Sequence, residues 1–217
     1  MRITFVSEGT LQAFKEVEGR ERADVTLFGF NGVEQVSYEK ELKGESNFFE
    51  EAAKLSKRDK NVVIFGCVTD TLGHKRKSVV VAENGRILGV SDMLHAIDGE
   101  CSPGANVKSY DTKIGKIGVI VARDLYFTET VKALALCGVD FIVCPFDRGI
   151  TPLERSYVCV YAHAYGAPIF LCGEGFGMLA SAQGELLFSS PLSPITAIYE
   201  EKKEYNLVET RCSRCLP

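Results

Sequence analysis

The side chains in this sequence that are best suited to nucleophilic chemistry are three cysteines near the ends of apolar runs. Cys67, Cys144 and Cys172 each follow several aliphatic or aromatic residues, which is the pattern of a buried strand. Sites in α/β proteins gather at the carboxyl ends of strands, so one of these thiols could attack an electrophilic carbon, with His95 or His163 as its base. The alternative is that all three are small buried hydrophobes, the usual role of a free cysteine within a strand.

The eight cysteines show no spacing that is typical of a metal site. Cys212 and Cys215 form one C-x-x-C pair near the C-terminus, and no second pair supplies the other two ligands of a zinc site. The pair is interpreted as two free thiols, with metal binding or redox use between subunits as the alternative. The sequence therefore predicts neither a metal nor a cofactor.

Composition restricts the classes of protein to which this chain can belong. Its 217 residues suit a single domain over residues 1–217, and 46% of them are hydrophobic. The net charge of −4 argues against a nucleic-acid partner, which would favour a basic face. No apolar run approaches the ~20 residues of a membrane-spanning helix, and the N-terminal run is too short for a signal peptide. We therefore expect a cytoplasmic protein with no nucleic-acid or membrane partner.

Short apolar runs alternate with amphipathic segments along the chain. Residues 46–59 carry apolar side chains at helical spacing, with Ser46 as the predicted N-cap, and residues 151–166 predict a helix with Pro152 near its start. Asn84-Gly85 lies between two strand-like runs and predicts a β-hairpin. Strands, helices and inserted hairpins in this mixture indicate an α/β protein with mixed sheets that are covered by helices.

One stretch, GKIGVIVARDLYFTE, has the layout that presents a reactive side chain at the end of a sheet. It runs from Gly115 to Glu129, and its apolar strand stops abruptly at Arg123-Asp124 before a helix-like segment. A strand, a sharp turn and a helix in this order hold the nucleophile of many hydrolases at the turn. The residue at this turn is Ala122, which has no nucleophilic group.

This stretch resembles the nucleophile motif of the nitrilase, or carbon–nitrogen hydrolase, superfamily, which reads roughly G-x-I-G-x-x-I-C-Y-D-x-R-F-P-E. The segments ADVTLFGF, GVSDMLHAIDGECSPG and GMLASAQGELL resemble other motifs of the same superfamily, in the same order along nearly the whole chain. Each motif is weak alone, and their order makes the resemblance specific. The matching residues include Gly89, His95, Gly115, Ile117, Gly118, Asp124, Phe127 and Glu129.

The resemblance implies a four-layer α-β-β-α sandwich that commonly forms dimers through its helix layers. It also implies hydrolysis of an amide or nitrile by a glutamate base, a lysine that stabilises the oxyanion and a cysteine nucleophile. Carried over to this sequence, the glutamate position is Phe30, the lysine position is Met93 and the cysteine position is Ala122. All three positions hold apolar residues, so the resemblance leaves no catalytic residue in place.

Replacing both the glutamate and the lysine of such a site by apolar residues is energetically reasonable. Removing one member of a buried charge pair costs roughly 3–5 kcal/mol, whereas apolar replacement of both members is often neutral or stabilising. We therefore predict that Phe30 and Met93 form an apolar floor and fill the space in which a substrate would otherwise bind.

The polar residues near these positions are interpreted first as structural. Asp124 is expected to cap the next helix or to orient the turn, and Glu129 to favour the N-terminus of that helix. His95 is interpreted as a hydrogen-bonded structural residue. Arg123 forms a local salt bridge or binds an anion in the pocket. Glu100 reaches the pocket or lies on a surface loop.

Three hypotheses about function follow. The first is a protein of this superfamily without hydrolase activity, which acts as a structural, regulatory or ligand-binding subunit and forms a homodimer. The second is an amidase-type enzyme in which Cys67, Cys144 or Cys172 is a relocated nucleophile. The third is a small-molecule sensor whose pocket holds an apolar or anionic ligand near Arg123.

Overall fold

The computed structural model describes residues 1–200 except residues 18, 34, 97, 98 and 100. Glu100, Cys212 and Cys215 therefore lie outside the described residues.

The helices are α1 (Leu11–Glu16), α2 (Tyr38–Lys43), α3 (Phe48–Asp59), α4 (Thr128–Leu136) and α5 (Pro152–Tyr165), with a 3₁₀ turn at Ala122–Tyr126. The strands are β1 (Arg2–Val6), β2 (Val25–Phe28), β3 (Gln35–Ser37), β4 (Val62–Thr71), β5 (His74–Glu83), β6 (Arg86–Asp92), β7 (Lys108–Thr112), β8 (Gly115–Val119), β9 (Phe141–Gly149), β10 (Ile169–Glu174), β11 (Phe176–Ala180), β12 (Leu186–Ser190) and β13 (Ile195–Ile198). None of these helices is long and apolar enough to cross a membrane.

The strands form two mixed sheets, as the sequence predicts. The first sheet has the order β13-β1-β2-β4-β5-β6, with β3 also paired to β4, and the second has the order β12-β11-β10-β9-β8-β7. In the first sheet β1, β2 and β4 run parallel, and in the second β8, β9 and β10 run parallel. Antiparallel strands flank each parallel centre. The carboxyl ends of the parallel strands are the positions at which α/β proteins usually place their sites.

Three apolar cores separate four layers, which confirms the predicted α-β-β-α sandwich. The central core lies between the two sheets and includes Phe5, Ile64, Val143 and Phe170. An outer core lies between the first sheet and the helices α1 and α3, and includes Phe14, Leu55 and Phe65. A second outer core lies between the second sheet and the helices α4 and α5, and includes Leu134, Ile142 and Val158. Neighbouring residues such as Ile64 and Phe65 enter different cores because side chains alternate across a strand.

Helix α3 has a different N-terminus from the one predicted. It begins at Phe48 with Asn47 in the N-cap position, so the prediction of Ser46 as N-cap is wrong. The Glu41 carboxylate accepts the N–H of Phe48 at 3.0 Å and that of Phe49 at 3.2 Å, and it also accepts the Ser46 hydroxyl. A carboxylate from the preceding helix thus satisfies the first backbone donors of α3, which is a favourable position for negative charge.

The hairpin predicted at Asn84-Gly85 is confirmed. It joins β5 to β6, and its two turn residues have φ values of 50° and 80°. Two consecutive residues with positive φ are what a two-residue turn needs to match the twist of its strands, and Asn followed by Gly tolerates this geometry best. The helix-like segment that follows Arg123-Asp124 in the sequence includes α4, which ends at Leu136, and Gly138 follows with a φ of 69°.

Helix α5 begins with a capping box that is buried against the 3₁₀ turn. Glu154 is fully buried, and its carboxylate accepts the N–H of Thr151 at 2.7 Å and the hydroxyl of Tyr126. Arg148 Nη2 lies 3.1 Å from the same carboxylate. Burial alone would raise the pKa of Glu154, but the hydrogen bonds from Thr151 and Tyr126 outweigh it and lower the pKa to about 2.

Replacing Glu154 by glutamine is expected to remove part of the acid sensitivity of the fold. The pKa of Glu154 is lower in the folded chain than its ordinary value of 4.5, so its ionised form stabilises the fold above that pH. This stabilisation, about 3 kcal/mol, is lost as the pH falls from about 4.5 to 2. Urea unfolding measured from neutral to acidic pH should therefore show a shallower decline for Glu154→Gln than for the wild type. The exposed carboxylate variant Glu129→Gln is the matched control, and identical slopes in all three proteins would contradict the prediction.

Candidate functional site

The nucleophile position that the resemblance assigns lies on a strained turn. Strand β8 ends at Val119, and the chain enters the 3₁₀ turn at Ala122 with a φ of +47°. A residue with a Cβ rarely adopts this left-handed conformation, which costs roughly 1–2 kcal/mol and persists only where the surroundings hold it. The backbone therefore keeps the sharp turn that presents a nucleophile in hydrolases, although the side chain at this point is a methyl group.

The structure places Phe30 after β2, Met93 after β6 and Ala122 after β8, each in or against the central core. Ala122 is 0% exposed and Met93 is 2% exposed in the central core, and the partly buried Phe30 packs against the same core. Gly66 on β4 makes room for this arrangement, because a Cβ at that position would collide with the Phe30 ring. Three positions taken from three separate motifs thus lie in or against the same central core.

Asp124 joins the 3₁₀ turn to the loop that carries Met93. Its buried carboxylate accepts the N–H of Leu94 at 2.8 Å and the N–H of His95 at 2.9 Å. The His95 Nδ1 atom lies 2.8 Å from Asp124 Oδ1, and the His95 ring stacks on Phe127 with 3.5 Å between centroids. Helix α4 has no side-chain cap, so the interpretation of Asp124 as a cap is wrong. Its role in orienting the turn and the hydrogen-bonded role of His95 agree with the structure.

A buried ionic cluster adjoins the substituted positions. Asp147 Oδ2 lies 2.6 Å from Lys77 Nζ and 3.5 Å from Arg123 Nε. The Asp147 side chain is 6% exposed and that of Lys77 is 12% exposed. Lys77 belongs to β5 of the first sheet and Asp147 to β9 of the second, so the cluster connects the two sheets beside Ala122. The local salt bridge expected for Arg123 agrees with this geometry.

Lys77 and Asp147 are not among the residues predicted from the sequence, although the sequence contains a signal for both. Side chains alternate across a strand, so Lys77 shares a face with Val79 and Val81, and Asp147 shares a face with Val143. Both faces line the central core. The alternation therefore predicts two inward charges, but only the stacking of the sheets shows that these two charges meet.

The cysteines considered as relocated nucleophiles lie in three different cores. Cys172 is in the central core, Cys144 is in the outer core of the second sheet and Cys67 is in the outer core of the first sheet, all of them fully buried. Burial raises the pKa of Cys67 and Cys172 to about 12, and it raises the pKa of Cys144 well above its ordinary value. Thiols in such surroundings are poor nucleophiles at neutral pH, because the thiolate is the reactive form.

Two further parts of the relocated-nucleophile hypothesis disagree with the structure. Cys67 and Cys144 lie within strands that continue to Thr71 and Gly149, so they are not near the carboxyl ends of those strands. His163, considered as a base, is exposed on α5, where its Nδ1 atom lies 3.1 Å from the Gln183 carbonyl oxygen. Among the described residues no group of three or more histidine, cysteine, aspartate or glutamate side chains could hold a metal ion.

Comparison with curated proteins finds partial sequence matches. No family model matches the chain. A citrullinase of Francisella tularensis is 33% identical over 86 residues, which are 36% of this chain and 30% of that protein. A protein described as a probable nitrilase of Schizosaccharomyces pombe is 27% identical over 112 residues, which are 48% of this chain and 40% of that protein. The chain thus spans less than half of the length of these two relatives.

Solved structures match over a larger part of the chain. A carbon–nitrogen hydrolase from Helicobacter pylori G27 has a TM-score of 0.71 at 19% identity, covering 90% of this chain and 86% of that one. Nit3 of Saccharomyces cerevisiae, a member of the nitrilase superfamily, has a TM-score of 0.72 at 14% identity, covering 90% and 88%. A cysteine-to-alanine variant of the amidase from Nesterenkonia sp. AN1, in complex with butyramide, has a TM-score of 0.67 at 14% identity, covering 90% and 88%. At these identities the likeness concerns the fold.

Proposed function

We propose that this chain, which has the nitrilase-type four-layer fold, is a superfamily member that does not carry out cysteine-dependent hydrolysis of carbon–nitrogen bonds. Its role would instead be structural, regulatory or ligand-binding. The observation that supports this proposal is that the three positions which the resemblance assigns to the catalytic groups hold Phe30, Met93 and Ala122, and that these side chains lie in or against the apolar central core. Ala122 stands on the strained turn and is fully enclosed, so neither a nucleophile nor solvent reaches that point.

Each missing group removes a separate part of the expected reaction. A thiolate at position 122 would attack the carbon, a carboxylate at position 30 would take the proton, and an ammonium group at position 93 would stabilise the oxyanion. Loss of a nucleophile that works as part of a unit lowers the rate on the order of 10⁶-fold. With all three groups replaced, the backbone turn alone supports no covalent step.

The amidase variant from Nesterenkonia helps to separate binding from reaction. In that protein a cysteine has been replaced by alanine, and the structure contains butyramide. Loss of the thiol alone is therefore compatible with binding of an amide in that fold. In this chain Phe30 and Met93 would prevent binding of a small amide, because they place apolar side chains where a base and an ammonium group would contact the substrate. We therefore propose that a small amide is neither bound nor hydrolysed at this position.

The nearby ammonium group of Lys77 is not proposed as a substitute for the missing lysine. It lies 2.6 Å from Asp147 Oδ2 in a mostly buried ion pair. Withdrawing it toward a developing oxyanion would leave the buried Asp147 carboxylate without this partner, which is costly in a low-dielectric environment. The pair is better suited to holding the two sheets together beside Ala122.

The relocated-cysteine hypothesis makes a contrasting prediction for thiol reactivity. We expect iodoacetamide to label the exposed Cys137 readily in the folded chain, whereas Cys67, Cys144 and Cys172 become labelled only after unfolding. Peptide mass spectrometry measures each site, and Cys137 acts as the internal control. Rapid labelling of one buried cysteine in the folded chain would favour the relocated nucleophile.

A turnover assay on the same preparation completes the test. The substrates are butyramide, L-citrulline and an aliphatic nitrile, and ammonia release is measured at high protein concentration. We expect no release above that of an identically purified variant in which Cys67, Cys144 and Cys172 are replaced by alanine or serine. Release that scales with protein concentration and is lost in this variant would overturn the proposal.

Two further properties are proposed. The resemblance supports a homodimer that forms through the helix layers, and the short apolar runs of the sequence support a protein that acts in the cytoplasm. A sensor role near Arg123 is less well supported than a structural role, because the Arg123 guanidinium already lies beside Asp147.

A further inference from the structure

The chain contains two Asn-Gly pairs, Asn31-Gly32 and Asn84-Gly85, in different surroundings. An asparagine that precedes a glycine can modify itself, because no side chain hinders attack by the glycine nitrogen on the carbon of the asparagine amide. The attack forms a C–N bond, releases ammonia and leaves a five-membered succinimide ring. Water then opens the ring to aspartate or to isoaspartate, in which the main chain runs through the former side chain.

The Asn31-Gly32 pair is held in place from two directions. The Asn31 Nδ2 atom donates to the carbonyl oxygen of Gly9 at 2.8 Å, and the Oδ1 atom is buried. Gly32 is buried, and its carbonyl oxygen accepts the N–H of Leu11 at 2.8 Å. Ring closure would break the bond to Gly9, and burial limits the access of water. We therefore expect this pair to be almost unreactive in the folded chain.

The Asn84-Gly85 pair forms the turn between β5 and β6, where Asn84 is exposed and water reaches its side chain. Both residues have positive φ values, 50° for Asn84 and 80° for Gly85. The Gly85 N–H donates to the hydroxyl of Ser56 at 3.1 Å, and Ser56 is fully buried on α3. The nitrogen that would attack is therefore held by a helix outside the hairpin.

Two features of this turn slow the reaction at Asn84 without preventing it. In the left-handed region the nitrogen of the next residue points away from Cβ, so ring closure requires a rotation of the backbone. The hydrogen bond to Ser56 must also break, because the Gly85 nitrogen attacks after it has lost its proton. Both changes need only a local opening of the turn, which requires less free energy than unfolding of the central strands.

We propose that Asn84 is a site of spontaneous modification to aspartate and isoaspartate in the folded chain, and that the Ser56 hydroxyl sets its rate. Each event consumes one water molecule and releases one ammonia molecule, so neither an oxidant nor another protein takes part. The product carries a negative charge that asparagine lacks. The hairpin is distant in sequence from Phe30 and Ala122, so the reaction is independent of whether the chain hydrolyses carbon–nitrogen bonds.

The two products are expected to differ in their effect on the fold. Asp-Gly suits the same two-residue turn as Asn-Gly, so Asn84→Asp should keep the melting temperature of the wild type. Isoaspartate adds one carbon to the main chain between Glu83 and Arg86, which pair across the turn. Aged protein that contains isoaspartate should therefore melt at a lower temperature than Asn84→Asp.

Incubation of the full chain at mildly alkaline pH, followed by peptide mass spectrometry, measures the reaction at both asparagines. The same incubation in urea gives the rates in the unfolded chain, in which we expect both pairs to react. In the folded chain Asn84 should react about tenfold or more faster than Asn31, because the exposed turn opens more readily than the buried pair.

A serine variant tests the role of the hydrogen bond. Ser56→Ala is expected to accelerate the reaction at Asn84 about fivefold, because one ordinary hydrogen bond no longer has to break. Ser156→Ala on α5 is the matched control and should leave the rate unchanged. Ser156 and Ser56 each donate to a carbonyl oxygen of their own helix, but Ser156 is not bonded to Gly85. Since a general loss of stability accelerates both pairs, the ratio of the rates at Asn84 and Asn31 identifies a local effect.

Three results would overturn this proposal. Equal rates at Asn84 and Asn31 in the folded chain would indicate that both react only through unfolding of the whole chain. Reaction at Asn84 in urea but none in the folded chain would show that the turn does not open. An unchanged ratio of the two rates in Ser56→Ala would show that the hydroxyl has no control over the reaction.

Discussion

Replacing Met93 by lysine is expected to lower the free energy of unfolding by roughly 3–5 kcal/mol at neutral pH, because it places an unpaired ammonium group in the central core. Met93 is 2% exposed and packs in the same apolar cluster as Ala122. Burial should lower the pKa of the introduced lysine below that of a lysine in the unfolded chain. The unfolded chain then binds more protons than the folded chain, so the loss in free energy of unfolding should become smaller as the pH rises toward about 10. Urea unfolding at neutral and alkaline pH measures both effects.

Two companion variants make this experiment specific. Met93→Leu conserves volume and is expected to cost less than about 1.5 kcal/mol. The double variant Phe30→Glu/Met93→Lys restores a carboxylate and an ammonium group, so its loss should be smaller than the sum of the two single losses by about 1–3 kcal/mol. Strict additivity would show that the two positions do not face each other, and it would remove the main support for the assignment of the triad positions.

Replacing Asp124 by alanine is expected to cost about 3 kcal/mol or more, because buried donors lose a charged acceptor. The N–H groups of Leu94 and His95 and the ring of His95 all contact this carboxylate. The same contacts hold the turn in which Ala122 has its positive φ, so their loss should release the turn as well.

The measurements for Asp124 are urea unfolding and amide hydrogen exchange. In Asp124→Ala the amides of Leu94 and His95 should exchange faster, whereas amides in the central strands should change only as far as global stability changes. Asp111→Ala removes an exposed carboxylate on β7 and serves as the control, with an expected change within about 0.5 kcal/mol. A loss of stability in Asp124→Ala without local exchange at residues 94 and 95 would contradict the proposed link between the turn and the loop.

Much of the fold could be predicted from local sequence patterns. The two-residue turn at Asn84-Gly85, the end of α4 near Gly138 and the Pro-containing start of α5 follow from conformational preferences of a few neighbouring residues. The cap of α3 shows where this approach fails. Ser46 has the right chemistry at the right spacing, yet the carboxylate of Glu41 from α2 occupies the first backbone donors.

In the candidate site, too, some features could be predicted from the sequence and others depend on how distant elements pack. The order of the motifs led to Phe30, Met93 and Ala122, which lie in or against the central core, and their assignment as the triad positions stays a prediction. The three cysteines could not be assigned in this way. Each has the same local pattern, an apolar run that ends in a thiol, but the two sheets and two helix layers distribute them among three separate cores.

By itself the sequence determined the types of elements, the resemblance in motif order and the apolar character of the three substituted positions, because all of these depend on residues that are near one another in the chain. Only the tertiary structure decided that Lys77 and Asp147 meet between the sheets, and that the Asp124 carboxylate holds the loop at Leu94 and His95. Alternation along a strand shows which residues face inward. It does not show which inward-facing residues of two different sheets, or of a loop and a distant strand, will come within hydrogen-bonding distance.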